Sequence, residues 1–100
     1  MKEVQLEIKE KDVIRLSSVF RSLQKLKIMI LLYLYFTPNR THKQIAERLM
    51  YHGAAIRDVL NAASKQGLVE RREGKYRLTK PGKRLVEGMV ELIAAMKEEG

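Results

Sequence analysis

Apolar positions along this chain recur with two different periods, and each change of period marks an element. Val4, Leu6 and Ile8 alternate with Glu3, Gln5, Glu7 and Lys9, the period-2 pattern of a short half-buried strand; a frayed helical lead-in fits so few residues equally well. Asp12 is placed to N-cap a helix running to about Phe20, with Ile14, Leu16, Val19 and Phe20 among its apolar positions. Ser22 offers a second cap, and Leu23, Leu26, Ile28, Ile30, Leu31 and Leu34 carry a strongly apolar helix to Phe36. One unbroken helix from Asp12 to Phe36 satisfies the same pattern.

Thr37-Pro38-Asn39-Arg40 reads as a turn, because Pro and Asn interrupt the helix and favour a tight reversal. Thr41 then N-caps a short helix, with Gln44 three residues on completing a capping box and Ile45, Ala46 and Leu49 on the inner face. A further helix spans about Gly53 to Gln66, with Ile56, Val59, Leu60 and Ala63 inward and Gly67 at its C′ position. Leu68–Arg72 and Lys75–Thr79 flank Glu73-Gly74 as a two-residue hairpin, setting Val69 opposite Leu78 and Arg71 opposite Tyr76. Thr79 caps a last helix from about Lys80 to Glu98, with Pro81 tolerated in its first turn.

The fold class this predicts is mainly α with a small β-hairpin wing, a winged helix-turn-helix. It forms one domain over residues 1–100: an N-terminal extension 1–19, a winged-helix core 20–79 and a closing helix 80–100. In the helix-turn-helix, Ala46 is small enough to let the next helix approach closely. Ile56 and Val59 pack against the first helix, and Tyr51 plugs the turn between them.

Charge sharpens the picture. The chain carries a net charge of +8, and residues 21–80 hold thirteen Lys/Arg against four Asp/Glu, whereas both ends are close to neutral. A basic middle between neutral ends points to a polyanion-binding surface. With no cysteine there is no disulfide, thiolate metal site or cysteine nucleophile. His42 and His52 have no clustered partners at ligand spacing, and no phosphate-binding Gly loop or acid/base set is present, so neither metal, cofactor nor catalysis is expected. The N-terminus has acids where a secretory segment needs an apolar run, and Ile28–Phe36 is far shorter than the roughly 20 residues of a membrane span. A cytoplasmic protein without a membrane partner is expected.

On Phe20-Arg21-Ser22-Leu23-Gln24-Lys25-Leu26-Lys27-Ile28, Thr41–Leu49, Gly67-Leu68-Val69 and Leu78-Thr79-Lys80-Pro81-Gly82-Lys83, the chain resembles the winged-helix regulators of the ArsR and MarR type over about Phe20 to Leu92. It departs from them in Met50, where a turn glycine is common, and in Asp58, an acid on the recognition helix. It also lacks the cysteine motif of the metal-sensing ArsR relatives.

The resemblance and the charge together imply a sequence-specific transcriptional regulator of double-stranded DNA. The exposed side of the recognition helix carries His52, Gly53, Ala54, Ala55, Arg57, Asp58 and Asn61. Arg57 suits a bidentate contact to guanine and Asn61 to adenine. His52 either caps this helix or faces DNA, and the two alanines either touch thymine methyls or let the helix sit deep. Thr41 and Lys43 start the preceding helix, where backbone N–H groups and a lysine suit a phosphate. Arg71, Arg72, Lys75 and Arg77 surround the hairpin tip for a flanking backbone or minor groove. An architectural DNA-coating protein and a winged-helix protein-interaction module are the alternatives, and no effector can be named.

Leu85, Val86, Met89, Leu92, Ile93 and Met96 form an apolar stripe on the closing helix, flanked by Val90. Residues 20–79 can bury their own faces without it, and the stripe is wide for one neighbour. A homodimer through Leu85, Met89, Leu92, Ile93 and Met96 is therefore expected, with two recognition helices about 34 Å apart.

Overall fold

The computed structural model describes residues 9–19 and 25–99. The expected strand over residues 3–9 and the Phe20 and Ser22 positions fall outside them, apart from Lys9. The elements are α1 (Glu10–Val19), α2 (Lys25–Phe36), β1 (Arg40–Thr41), α3 (His42–Leu49), α4 (Gly53–Lys65), β2 (Val69–Arg72), β3 (Lys75–Leu78) and α5 (Lys80–Glu99).

A helix that is apolar on every side has to be surrounded, and α2 is. Its Ile28, Ile30, Leu31 and Leu34 are fully buried, and it packs against α1, α3, α4, α5 and β3. Ile45 of α3, Ile56 and Leu60 of α4, Val69 and Leu78 of the sheet, and Val86, Met89 and Ile93 of α5 close one continuous core around it.

Met89 and Ile93 are thus completely buried within the chain, which corrects their expected place in a dimer interface. The stripe on the closing helix is core because α2 needs a cover on that side. Residues 20–79 therefore leave part of α2 uncovered without α5. Leu85, Leu92 and Met96 lie half-buried at the edge of the same packing.

Asp12 is also corrected. It occupies the third position of α1, where its Oδ2 accepts a hydrogen bond from the backbone N–H of Lys9 at 2.9 Å. The carboxylate reaches back to the capping position and does not occupy it. Lys97 of α5 stands 3.4 Å away, joining the two terminal helices. The Lys9 N–H first, and Lys97 after it, hold the Asp12 carboxyl below its ordinary range despite the opposing effect of burial.

The hairpin has the register read from the sequence, Val69 opposite Leu78 and Arg71 opposite Tyr76. Glu73 (φ 53°) and Gly74 (φ 78°) both take the left-handed conformation that a two-residue type I′ turn requires. The two residues of β1 add a third strand, order β1-β3-β2, pairing Arg40 with Tyr76 and Thr41 with Lys75. Where the sheet meets α5, Thr79 N–H donates to Leu68 C=O at 3.0 Å and Thr79 Oγ1 accepts from Gly82 N–H at 3.1 Å. A Cβ on Gly82 would lie 2.0 Å from the Leu68 carbonyl oxygen, so only glycine fits this approach.

Tyr51 does not plug the turn. It is 38% exposed and lines a cleft with Val13, Met29, Tyr33, Phe36 and Leu49. Met50 ends α3 in the left-handed region (φ 60°, ψ 43°), the conformation the more usual glycine would take there, and its own side chain is 90% exposed.

Candidate nucleic-acid interface

The capping box that starts α3 is complete: Thr41 Oγ1 accepts from Gln44 N–H at 3.1 Å, and Gln44 Oε1 accepts from Thr41 N–H at 2.9 Å. Thr41 is at the same time the end of β1, opposite Lys75 of the wing. One residue therefore fixes the start of α3 against the hairpin. Lys43 projects exposed from that first turn.

Burial of Ile56, Leu60 and Ala63 turns the other side of α4 outward, leaving Ala54, Arg57, Asp58 and Asn61 exposed and Ala55 half-buried. His52 sits at the N-cap of α4 but makes no side-chain capping hydrogen bond. The contact between the two helix starts comes instead from His42, whose Nε2 lies 3.2 Å from the Gly53 carbonyl oxygen. At the far end of α4, the ammonium of the buried Lys27 donates to Gln66 Oε1, tying the helix back to α2. Burial lowers the pKa of Lys27.

These elements enclose a groove of about 410 Å³ lined by Thr41, His42, Lys43, Arg57, Asn61, Arg71, Gly74 and Tyr76. Five residues singled out from the sequence meet there: Thr41, Lys43, Arg57, Asn61 and Arg71. The Arg71 guanidinium lies 5.8 Å from the centre of the Tyr76 ring, a cation–π contact that holds it at the wall of the groove. Among the described residues no acid lines the groove. Asp58 is exposed and forms no ion pair among the described residues.

The four wing cations do not form one set. Strand alternation puts Arg71 on the groove side with Tyr76, and Arg72, Lys75 and Arg77 on the opposite face. Arg77 is further engaged by its cross-strand partner, its Nε donating to Glu70 Oε1 at 2.6 Å. Sequence reasoning missed His42 and Tyr76 in the groove. The register that sets Tyr76 opposite Arg71 was the available signal for the latter. Nothing in the spacing of His42 announced its contact with Gly53.

This arrangement of helices and wing has solved counterparts. MepR of Staphylococcus aureus, a transcription regulator of the multidrug efflux pump MepA, superposes with a TM-score of 0.77 over 90% of this chain and 70% of its own, at 22% identity. The chain has the MarR-type winged-helix fold. A MarR family protein from Bacillus stearothermophilus shares it at a TM-score of 0.74 and 16% identity, over 93% of this chain and 81% of that one. MepR bound to DNA shares it at 0.74 and 20% identity, over 89% and 79%. No family model matches the chain, and no curated protein matches it. At these identities the likeness carries the MarR-type fold alone. No helix among the described residues is long and apolar enough to cross a membrane.

Proposed function

We propose that the chain is a sequence-specific transcriptional regulator, non-catalytic and cytoplasmic, that binds double-stranded DNA as a homodimer. The observation that carries this reading is the acid-free groove in which Arg57, Asn61, Lys43 and Arg71 come together from α4, the start of α3 and the wing. Arg57 and Asn61 read base edges in the major groove, with Ala54 and Ala55 keeping the helix surface low enough to enter. Thr41 and Lys43 hold a phosphate at the start of α3, and Arg71, Arg72 and Lys75 engage the flanking backbone. His52, exposed at the head of α4, is assigned to the same DNA surface. DNA-bound MepR among the structural neighbours supports the assignment of partner.

The dimer contact is proposed at the half-buried edge of α5, through Leu85, Leu92 and Met96, since Met89 and Ile93 are occupied by the core. Asp58 favours a second reading. An unpaired carboxylate on the recognition helix repels phosphate unless it accepts from a cytosine amino group, and a protein that coats DNA with little preference is the outcome if it does not.

Selection from a pool of random duplexes separates the two. A retained motif with two-fold symmetry and half-sites about 10 base pairs apart is expected. Uniform retention of all sequences contradicts specific readout.

A further inference from the structure

The wing cations that turn away from the groove lead into a second basic surface. Arg72 and Lys75 sit near the hairpin tip on the outer face, and Arg77 follows on the same face. From Arg77 the surface continues into a second groove of about 660 Å³, where it is joined by Lys80 and Lys83 from the first turn of α5 and walled by Tyr35 and Pro38. Among the described residues the only acid lining it is Glu70, which Arg77 already engages.

The first turn of α5 makes this placement informative. The N-terminus of a helix is its positive end, where acids stabilise and cations do not. That turn has no acid, and Lys80 and Lys83 occupy it, both exposed and without an ion pair among the described residues. Arg84 lies one helical turn beyond Lys80 on the same side and is exposed too. Folding gains nothing from cations at that end of the helix. A polyanion resting there does.

We propose that the outer face of the wing and the first turn of α5 form a track for DNA backbone beyond the site read by α4, so that the flanking duplex bends toward the body of the protein. The inference rests on the DNA-binding reading above. It commits to the same duplex because the track starts at the wing that already abuts it. From Lys75 to Lys80 the chain advances five residues, about 16 Å at strand rise, which matches about five base pairs of duplex. A flank that continued straight past the wing tip would leave Lys80 and Lys83 bare.

The test compares a short duplex, ending where the wing tip falls, with the same duplex extended by about one helical turn, roughly 10 base pairs, on each side. Wild-type protein binds the extended duplex more tightly, and dyes at its two ends come closer together on binding. Lys80→Ala with Lys83→Ala binds the short duplex as wild type does. On the extended one it loses about tenfold, its salt slope falls by about three to four because two subunits each lose two lysines, and the dyes stay apart. Equal binding of the two duplexes by wild type overturns the track and leaves the DNA reading standing. Equal loss on both duplexes, or one protein holding two separate duplexes, overturns it as well. Failure of wild type to bind either duplex overturns the DNA reading and the track with it. Unchanged melting of the variant, read by circular dichroism, keeps the comparison free of folding effects.

Discussion

The first turn of α1 and the first turn of α3 close on the same hydrogen bond with opposite electrostatics. In α1 the carboxylate of Asp12 accepts from the N–H of Lys9 at 2.9 Å, and in α3 the amide oxygen of Gln44 accepts from the N–H of Thr41 at 2.9 Å. Around them, α1 carries Glu10 and Asp12 in its first turn, whereas α3 has no acid there and offers Lys43. The acids of α1 all find partners: Asp12 has Lys97, and Glu10 accepts from the Lys25 ammonium. At α1 charge serves folding. At α3 a neutral amide makes the same cap, and the positive end of the helix stays open to an anion. The starts of α4 and α5 are also free of acids. The start of α3 lies on the groove side of the wing and that of α5 on its outer side.

The largest effect that separates the two regions is on DNA. Arg57→Ala removes a side chain that has no role in the core, so melting should be unchanged. Affinity for the preferred duplex should fall by about 1–3 kcal/mol, with a much smaller loss on random duplex, in paired binding titrations. Equal loss on both would move Arg57 from base to backbone contact.

Asp12→Ala should do the reverse. Losing the cap and the tie to Lys97 should cost about 1–2 kcal/mol of stability in urea unfolding, with DNA affinity untouched. The pH dependence follows from the same contacts. Because the folded protein holds the Asp12 carboxyl below its ordinary range, its contribution is present above about pH 4 and is lost as the pH falls through the lower, folded value. The variant should lack that part of the acid destabilisation of wild type.

Met50→Gly acts on the end of α3. A left-handed methionine that is 90% exposed gains nothing from packing, and glycine relieves the backbone. A rise of about 0.5–1 kcal/mol in stability is expected, without change in DNA binding.

Gln44→Glu gives the smallest change and the sharpest contrast, because it gives α3 the electrostatics of α1. The capping hydrogen bond survives and the helix gains about 0.3–1 kcal/mol from its own dipole, while binding to every duplex weakens a few-fold. Stability and affinity should move in opposite directions. Movement in the same direction would place the start of α3 away from phosphate.

What was legible in the sequence was what rests on local pattern. The Thr41–Gln44 box, the inward Ile56 and Leu60, and the Glu73-Gly74 turn with its register each depend on neighbours a few residues away. What escaped depends on the assembled fold. Met89 and Ile93 look like a spare stripe until α2, apolar all round, is seen to need a cover. Arg40–Thr41 is too short to show a strand period and pairs only because β3 lies beside it. Arg71, Arg72, Lys75 and Arg77 look like one set around the hairpin tip because nearness in sequence hides the alternation of faces, although the register places Arg77 opposite Glu70. Asp12 has the residue type of a cap but stands three residues beyond the capping Lys9, inside the helix it stabilises. Here the residue type was informative and the exact helix boundary was not.

The account turns on whether the groove formed by α3, α4 and the wing meets DNA phosphates. The most direct measurement is the association constant of the wild-type protein for a duplex recovered by selection, followed across salt concentration. The logarithm of the constant should fall linearly with the logarithm of salt, at a slope of about −0.9 for each phosphate neutralised and so several units in all for contacts from Lys43, Arg71, Arg72, Lys75 and their two-fold mates. A slope near zero, or no measurable association at low salt, would contradict it.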